Sequence, residues 1–362
     1  MKKMLLATTI LASVAGYAAA DVSVSGDARM GVTSYDGVTN FDNRIRVTFT
    51  GSGKTNGGLE FGGSFRADTA VDAEAGDAGS VYISGAFGKI EMGDGYDLGS
   101  GDSTAVGQLA SVGYEYLGSG NSISYAADGG VLGLNEDDTG ASARVLYTYS
   151  ANGLTLAVSS GQLTDGGNSS YGVGVAYTTG GLTLALGSGQ ADGTFTGVPV
   201  EYGATATEDA SGDVSITDTS ASATYVMGAT TIKAIYQDKS MSIVGSSTHV
   251  DVDTTATATS MGMSVSHTMD AFTLTAYSLT TSIDSGDLTD GNPTVSRYGI
   301  GASYALGTGA TLSAGWAAVD TATYTAAVDV IDIANQQTTP NTAATYTTET
   351  SNNFDIGINF SF

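Results

Sequence analysis

Residues 51–55 read GSGKT. Glycine, lysine and threonine in that order could cradle a phosphate between backbone N–H groups and an ammonium. The full loop is G-x-x-x-x-G-K-[ST], set between a buried strand and a helix. Counting back from Gly53-Lys54-Thr55, the first glycine belongs at position 48, where Thr48 stands. The residues that follow, Asn56-Gly57-Gly58 and then LEFGGSFRAD, alternate with period two and carry no helical pattern. The stretch reads as a Gly/Ser/Asn-rich turn between two strands, with Lys54 in water.

Other chemistry is sparse. The only histidines are His249 and His267, they form no H-x-x-x-H pair, and there is no cysteine to supply a thiolate. No G-x-S-x-G elbow is present. The chain therefore reads as a non-enzyme that requires no cofactor. Two acidic clusters, Asp72/Glu74/Asp77 and Glu136/Asp137/Asp138, offer hard oxygen ligands for calcium, although solvated acidic loops are the plainer reading. Four of the six arginines, Arg29, Arg44, Arg46 and Arg66, fall close together.

The elements that must carry these residues follow from composition. MKKMLLATTILASVAGYAAA has a basic start, a short apolar run and small residues at its end, so residues 1–20 read as a signal peptide that is removed. Residues 21–362 then form a single domain. Losing Lys2 and Lys3 leaves ten bases against 37 acids, a net charge of −27. No basic face can be assembled to neutralise phosphates, so no nucleic-acid partner is expected. Fifty-one glycines, three prolines and no long 3.6-residue periodicity mark an all-β chain.

DVSVSGDARMGVTS sets the pattern, with apolar or small residues at even positions and polar ones at odd positions. The C-terminus repeats it in Phe354, Ile356, Ile358, Phe360 and Phe362. Sixteen such segments are expected, at 21–34, 42–51, 58–68, 79–86, 88–94, 142–151, 153–162, 169–179, 181–190, 214–227, 229–240, 257–268, 270–281, 296–306, 309–320 and 350–362. Short connections alternate with long ones, at 35–41, 69–78, 95–141, 163–168, 191–213, 241–256, 282–295 and 321–349. An even number of antiparallel strands, short turns at one end and long loops at the other are the plan of a 16-stranded antiparallel transmembrane β-barrel of the outer membrane. In lipid every backbone polar group must be paired, which forces the sheet to close. Tyr147, Tyr149, Tyr177, Tyr225, Tyr277 and Tyr304 suit aromatic girdles at the two interfaces. A soluble sandwich or a solenoid adhesin would also alternate, but the loop rhythm and the aromatic last strand favour the barrel.

SGDARMGV (25–32), GLEFGGSFRAD (58–68), VYISGAFGKIEMGD (81–94), VLYTYSA (145–151), YGIGASYALG (298–307) and FDIGINFSF (354–362) resemble the general diffusion porins of Rhodobacter-type alphaproteobacteria. The resemblance implies an outer-membrane homotrimer in a Gram-negative bacterium, passing ions and small hydrophilic solutes. It also implies a third loop folded into the lumen as a constriction, and calcium near the acidic loops. A substrate-selective channel and a non-conducting structural barrel or adhesin are the alternatives.

Strand alternation points Asp27 and Arg29 inward on the first strand, Arg44 and Arg46 on the second, and Glu60, Arg66 and Asp68 on the third. With turns centred near residues 38 and 54, Arg29 is expected beside Arg46, and Arg44 beside Arg66. The resemblance implies that this cluster is the barrel-wall side of the constriction. The facing side would be the third loop, 95–141, with Asp97, Asp102 and Glu115 toward the pore and Asp94 at its root. A loop that long is tolerable in a compact fold when it is functional. The overall charge predicts a mild cation preference that weakens with salt.

Overall fold

The computed structural model describes residues 21–68, 75–93, 98–114, 117, 121–126, 143–161, 169–202, 206–247, 251–285, 293–325, 328–332, 337–342 and 345–362. Its elements are β1 (Asp21–Tyr35), β2 (Val38–Lys54), β3 (Glu60–Asp68), β4 (Ala75–Gly85), β5 (Gly88–Gly93), α1 (Gly101–Val106), β6 (Ala143–Ala151), β7 (Leu154–Gly161) and β8 (Ser169–Thr179). There follow β9 (Leu182–Tyr202), β10 (Ala206–Met227), β11 (Thr230–Ser246), β12 (Asp251–Met269), β13 (Phe272–Ser285), β14 (Thr294–Gly307), β15 (Ala310–Thr325), β16 (Val328–Asp332), β17 (Gln337–Thr342) and β18 (Thr345–Ser361).

Among the described residues, β1–β15 and β18 close into one antiparallel barrel of sixteen strands. β16 and β17 form a separate hairpin in the last long connection, between β15 and β18. The barrel shuts where β1 meets β18, from Asp27 opposite Ser361 to Ser34 opposite Phe354. At the seam the Gly26 N–H donates to the Phe362 carbonyl (2.7 Å) and the Phe362 N–H to the Gly26 carbonyl (2.9 Å). No edge is left to expose unpaired backbone to lipid, as an apolar medium demands.

Alternation sets what faces out. Met30, Ile45, Phe49, Phe61, Phe65, Val81 and Ile83 are exposed on the outer surface. The core lies inside the barrel, where Val106, Leu109, Val112, Leu117, Ile123 and Tyr125 of the third loop pack on Ala185, Ile235, Tyr277, Leu279, Ala317 and Val319 of the wall. Tyr277 is thus an inward core residue and leaves the expected girdle, whereas Tyr177, Tyr225 and Tyr304 are exposed. On β13 its neighbours Leu274 and Ser278 face out, so parity sends Tyr277 inward.

Most of the expected long connections prove to be shorter, three of them tellingly. The expected loop 35–41 is a two-residue turn, because Tyr35 pairs with Val38. Asp36 and Gly37 both take positive φ (48° and 82°), the hairpin geometry whose twist suits flanking strands. β9 and β10 run through most of 191–213, with a register shift at Ala210/Gly212. β11 and β12 likewise run into 241–256. Beyond the hydrocarbon the ladder continues, but outward residues need no longer be apolar, so the alternation that marks a strand fades. GSGKT is the end of β2 and the start of its turn, and no helix follows it. Lys54 is mostly exposed and pairs with Glu60 at 2.8 Å.

Candidate functional site

The arginines come together as parity requires, but in a different register from the expected one. The Asp36-Gly37 turn puts Arg29 directly opposite Arg44 and Asp27 opposite Arg46. The connection between Lys54 and Glu60 puts Arg46 opposite Asp68 and Thr48 opposite Arg66. The first turn centres between residues 36 and 37, and the second near 57; that displacement corrects the expected pairs Arg29/Arg46 and Arg44/Arg66.

Like charges directly opposite on a sheet repel. Arg29 and Arg44 do stand directly opposite, but each arginine also reaches an aspartate. Arg29 Nε lies 2.8 Å from Asp42 Oδ2, and Arg44 Nη2 lies 3.3 Å from Asp27 Oδ2. Arg46 Nε lies 2.6 Å from Asp68 Oδ2, and Arg66 Nε reaches the same oxygen at 3.8 Å. The wall of β1–β3 is therefore an alternating array of four arginines and three aspartates, one positive charge in excess. Such partly exposed pairs add only about 0–1 kcal/mol each to stability. Their effect is to fix where each guanidinium points. Arg29 is 12% exposed and Arg66 33%, so Arg66 presents more of its charge to water.

The third loop lies against the inner wall. Ser100 caps α1, its Oγ accepting from the Ser103 N–H. The carbonyl of Val106 at the other end accepts from Lys233 Nζ (2.5 Å) and Ser222 Oγ (3.0 Å). Gly187 makes this approach feasible, since a Cβ there would stand 2.7 Å from the Asp102 Cβ. Farther along, a Cβ on Gly315 would stand 2.5 Å from the Gly113 nitrogen. The Tyr114 N–H then donates to Asp355 Oδ1 (3.2 Å), and Tyr114 Oη donates to Asp42 Oδ2 (2.9 Å). A returning limb is held by Gln108, whose Nε2 donates to the Ile123 carbonyl and whose Oε1 accepts from the Ile123 N–H, both at 2.8 Å. The loop thus spans the inside of the barrel and ends on the arginine wall.

Asp102, expected toward the pore, is completely buried. It accepts from Ser100 Oγ at 2.5 Å and has the Asp218 carboxyl beside it. The first turn of α1 faces β8 and β9, so its acid is a docking group and not a pore-lining one. Asp94, Asp97 and Glu115 lie outside the described residues, as do Asp72, Glu74, Glu136, Asp137 and Asp138 of the calcium candidates. Asp77 is on β4, and its side chain is outside what is described. Among the described residues no group of three or more His, Cys, Asp or Glu stands together as a metal site. Sequence reasoning missed Asp42, Tyr114 and Asp355. Asp42 shares the inward parity of Arg44 and could have been found; the Tyr114 and Asp355 contacts cross the lumen and left no periodic signal.

The description of the Gram-negative porins matches residues 7–324. The porin of Rhodobacter capsulatus is 36% identical over 303 residues, covering 82% of this chain and 93% of that protein. A porin structure refined at 1.8 Å superposes with a TM-score of 0.66 at 32% identity, over 94% of this chain and all of the other. An anion-selective porin from Comamonas acidovorans (TM-score 0.62, 95% of this chain and 100% of the other) and the trimer form of OmpT from Vibrio cholerae (0.65, 95% and 100%) share the fold at 16% identity. A closed barrel with its interior narrowed by its own third loop, in a chain this similar throughout, has one reading: the chain belongs to the Gram-negative porins and forms a non-enzymatic channel of the outer membrane.

Proposed function

We propose that solutes pass between the arginine–aspartate wall of β1–β3 and the third loop, and that this gap sets selectivity by charge and size. The carrying observation is the wall itself, where Arg29, Arg44, Arg46 and Arg66 are each held by an aspartate of the same wall. Fixed charges of both signs favour ions and dipolar solutes and hinder apolar ones. Acids at Asp94, Asp97 and Glu115 would add the opposing side of a transverse field. The wall's excess of one positive charge pulls toward anions, while the whole chain's acidity fills the vestibules with cations. The second effect dominates at low salt, giving a mild cation preference that fades as the Debye length shrinks from about 10 Å at 0.1 M to 3 Å at 1 M.

The trimer, in this reading, forms through the outer face of β1–β5 and β18. Among the described residues, exposed phenylalanines (Phe41, Phe49, Phe61, Phe65, Phe87, Phe354, Phe362) are confined to β2, β3, the β4–β5 turn and the β18 end of the chain. Among the described residues, exposed tyrosines (Tyr171, Tyr177, Tyr225, Tyr236, Tyr298, Tyr304) are confined to β8–β14. A tyrosine hydroxyl suits a lipid–water boundary, whereas a phenylalanine surface suits dry packing against another copy. Reversal potentials across a salt gradient test the selectivity; anion preference at low salt would reject it.

A further inference from the structure

Round the barrel from the arginine wall, beyond β18 and β15, a cleft of about 250 Å³ opens between the returning limb of the third loop and β11–β14. Lys239, Arg297 and Ser124 supply its polar lining, and Met241, Ile283 and Val295 an apolar floor. Among the described residues no aspartate or glutamate lines it, in a chain with 37 acids.

The two cations differ. Lys239 Nζ donates to the Ser124 carbonyl (3.1 Å) and Ser124 Oγ (3.0 Å), and Asp218 offsets its charge from nearby. Arg297 has no such carboxylate beside it among the described residues. Its Nε is buried with no hydrogen-bond partner, and among the described residues no carboxylate pairs with it. A guanidinium presents a planar fork of donors that matches a carboxylate. Beside it, an apolar floor would shed water onto a short hydrocarbon tail. At roughly 30 Å³ per water-sized group, the cleft takes about eight or nine heavy atoms.

We propose that this cleft is a binding site for small monocarboxylates with a short acyl or aryl tail, held by Arg297 through the carboxylate and by Met241, Ile283 and Val295 through the tail. Such solutes dwell beside the constriction and are concentrated at it despite the acidity of the chain. The site is separate from the wall of β1–β3. It rests on the reading that the third loop borders a water-filled channel.

Benzoate is the probe. Applied to the full-length trimer in a planar bilayer at constant ionic strength, it must interrupt the ion current reversibly at millimolar concentration. Arg297→Gln must raise the half-effective concentration about tenfold or more, the loss expected for one charge-assisted contact. Arg297→Lys must restore part of it, and Ile283→Asn must weaken benzoate while leaving acetate unchanged. On the wild-type trimer alone, benzyl alcohol, similar in size but uncharged, must have no effect. A conducting channel that benzoate leaves untouched, or one blocked equally with Gln at 297, overturns the site. Equal weakening by Arg66→Gln overturns it too, by moving the block to the wall. A chain that inserts but conducts nothing contradicts the channel reading itself, and so is distinguishable from failure of the site alone.

Discussion

At the level of single residues, the site is built from charges that neutralise one another in pairs. Replacing Arg44 and Arg46 by glutamine leaves two arginines against three aspartates, so the wall changes from one positive charge in excess to one negative. The reversal potential in dilute salt should move toward stronger cation preference, with the difference largely lost near 1 M. Tyr114 is a second test. Its hydroxyl ties the third loop to Asp42, which also holds Arg29. Tyr114→Phe removes a hydrogen bond with a net contribution of about 1 kcal/mol. The expected result is more open-channel noise and closure at lower voltage, with the barrel's unfolding temperature nearly unchanged. The inward direction of all four arginines was legible because parity on a strand needs only one apolar face to be recognised. Their pairing was not, since a shift of one to three residues in a turn's centre alters every cross-strand neighbour while leaving parity intact.

Among the elements, the third loop decides the shape of the channel. It is held by α1 on β7–β9, by Tyr114 at β18 and β2, and by Gln108 within its own returning limb. Wall glycines make the contact possible. Gly187→Leu places a side chain where Asp102 packs, and overpacking of this kind costs about 1–3 kcal/mol. The loop should lift from the wall, and the mutant should show reduced and unsteady conductance in bilayer recordings while its heat-modifiable barrel band persists on gels. All sixteen barrel strands had a counterpart in the sequence pattern, because lipid imposes a strict alternation wherever the wall is immersed. The extensions of β9–β12 did not, since outside the hydrocarbon a hydrogen-bonded ladder tolerates polar residues on both faces. Nor did α1. Its apolar residues pack directly on β7–β9, a contact between distant segments that no local periodicity encodes, and Asp102 was assigned to the pore for the same reason.

The whole molecule carries an unequal outer surface. Phe49 and Phe65 stack on it with ring centroids 5.0 Å apart and planes 14° from parallel. Replacing both with serine should lower the temperature at which the trimer dissociates in detergent gels, while Tyr177→Ser and Tyr225→Ser should leave it in place. Equal destabilisation by the two pairs would contradict the assignment of the interface to β1–β5 and β18. On the proposed reading the net charge acts at this scale too, setting ion concentrations in both vestibules before any solute meets the wall. The central claim is a water-filled channel whose overall acidity outweighs an arginine-lined constriction. It is tested most directly by single-channel current under a potassium chloride gradient, from dilute to concentrated salt. Stable steps that close in threes are expected, with a reversal potential favouring potassium in dilute salt and drifting toward zero as salt rises. A barrel that inserts and conducts nothing, or one that favours chloride in dilute salt, would contradict it.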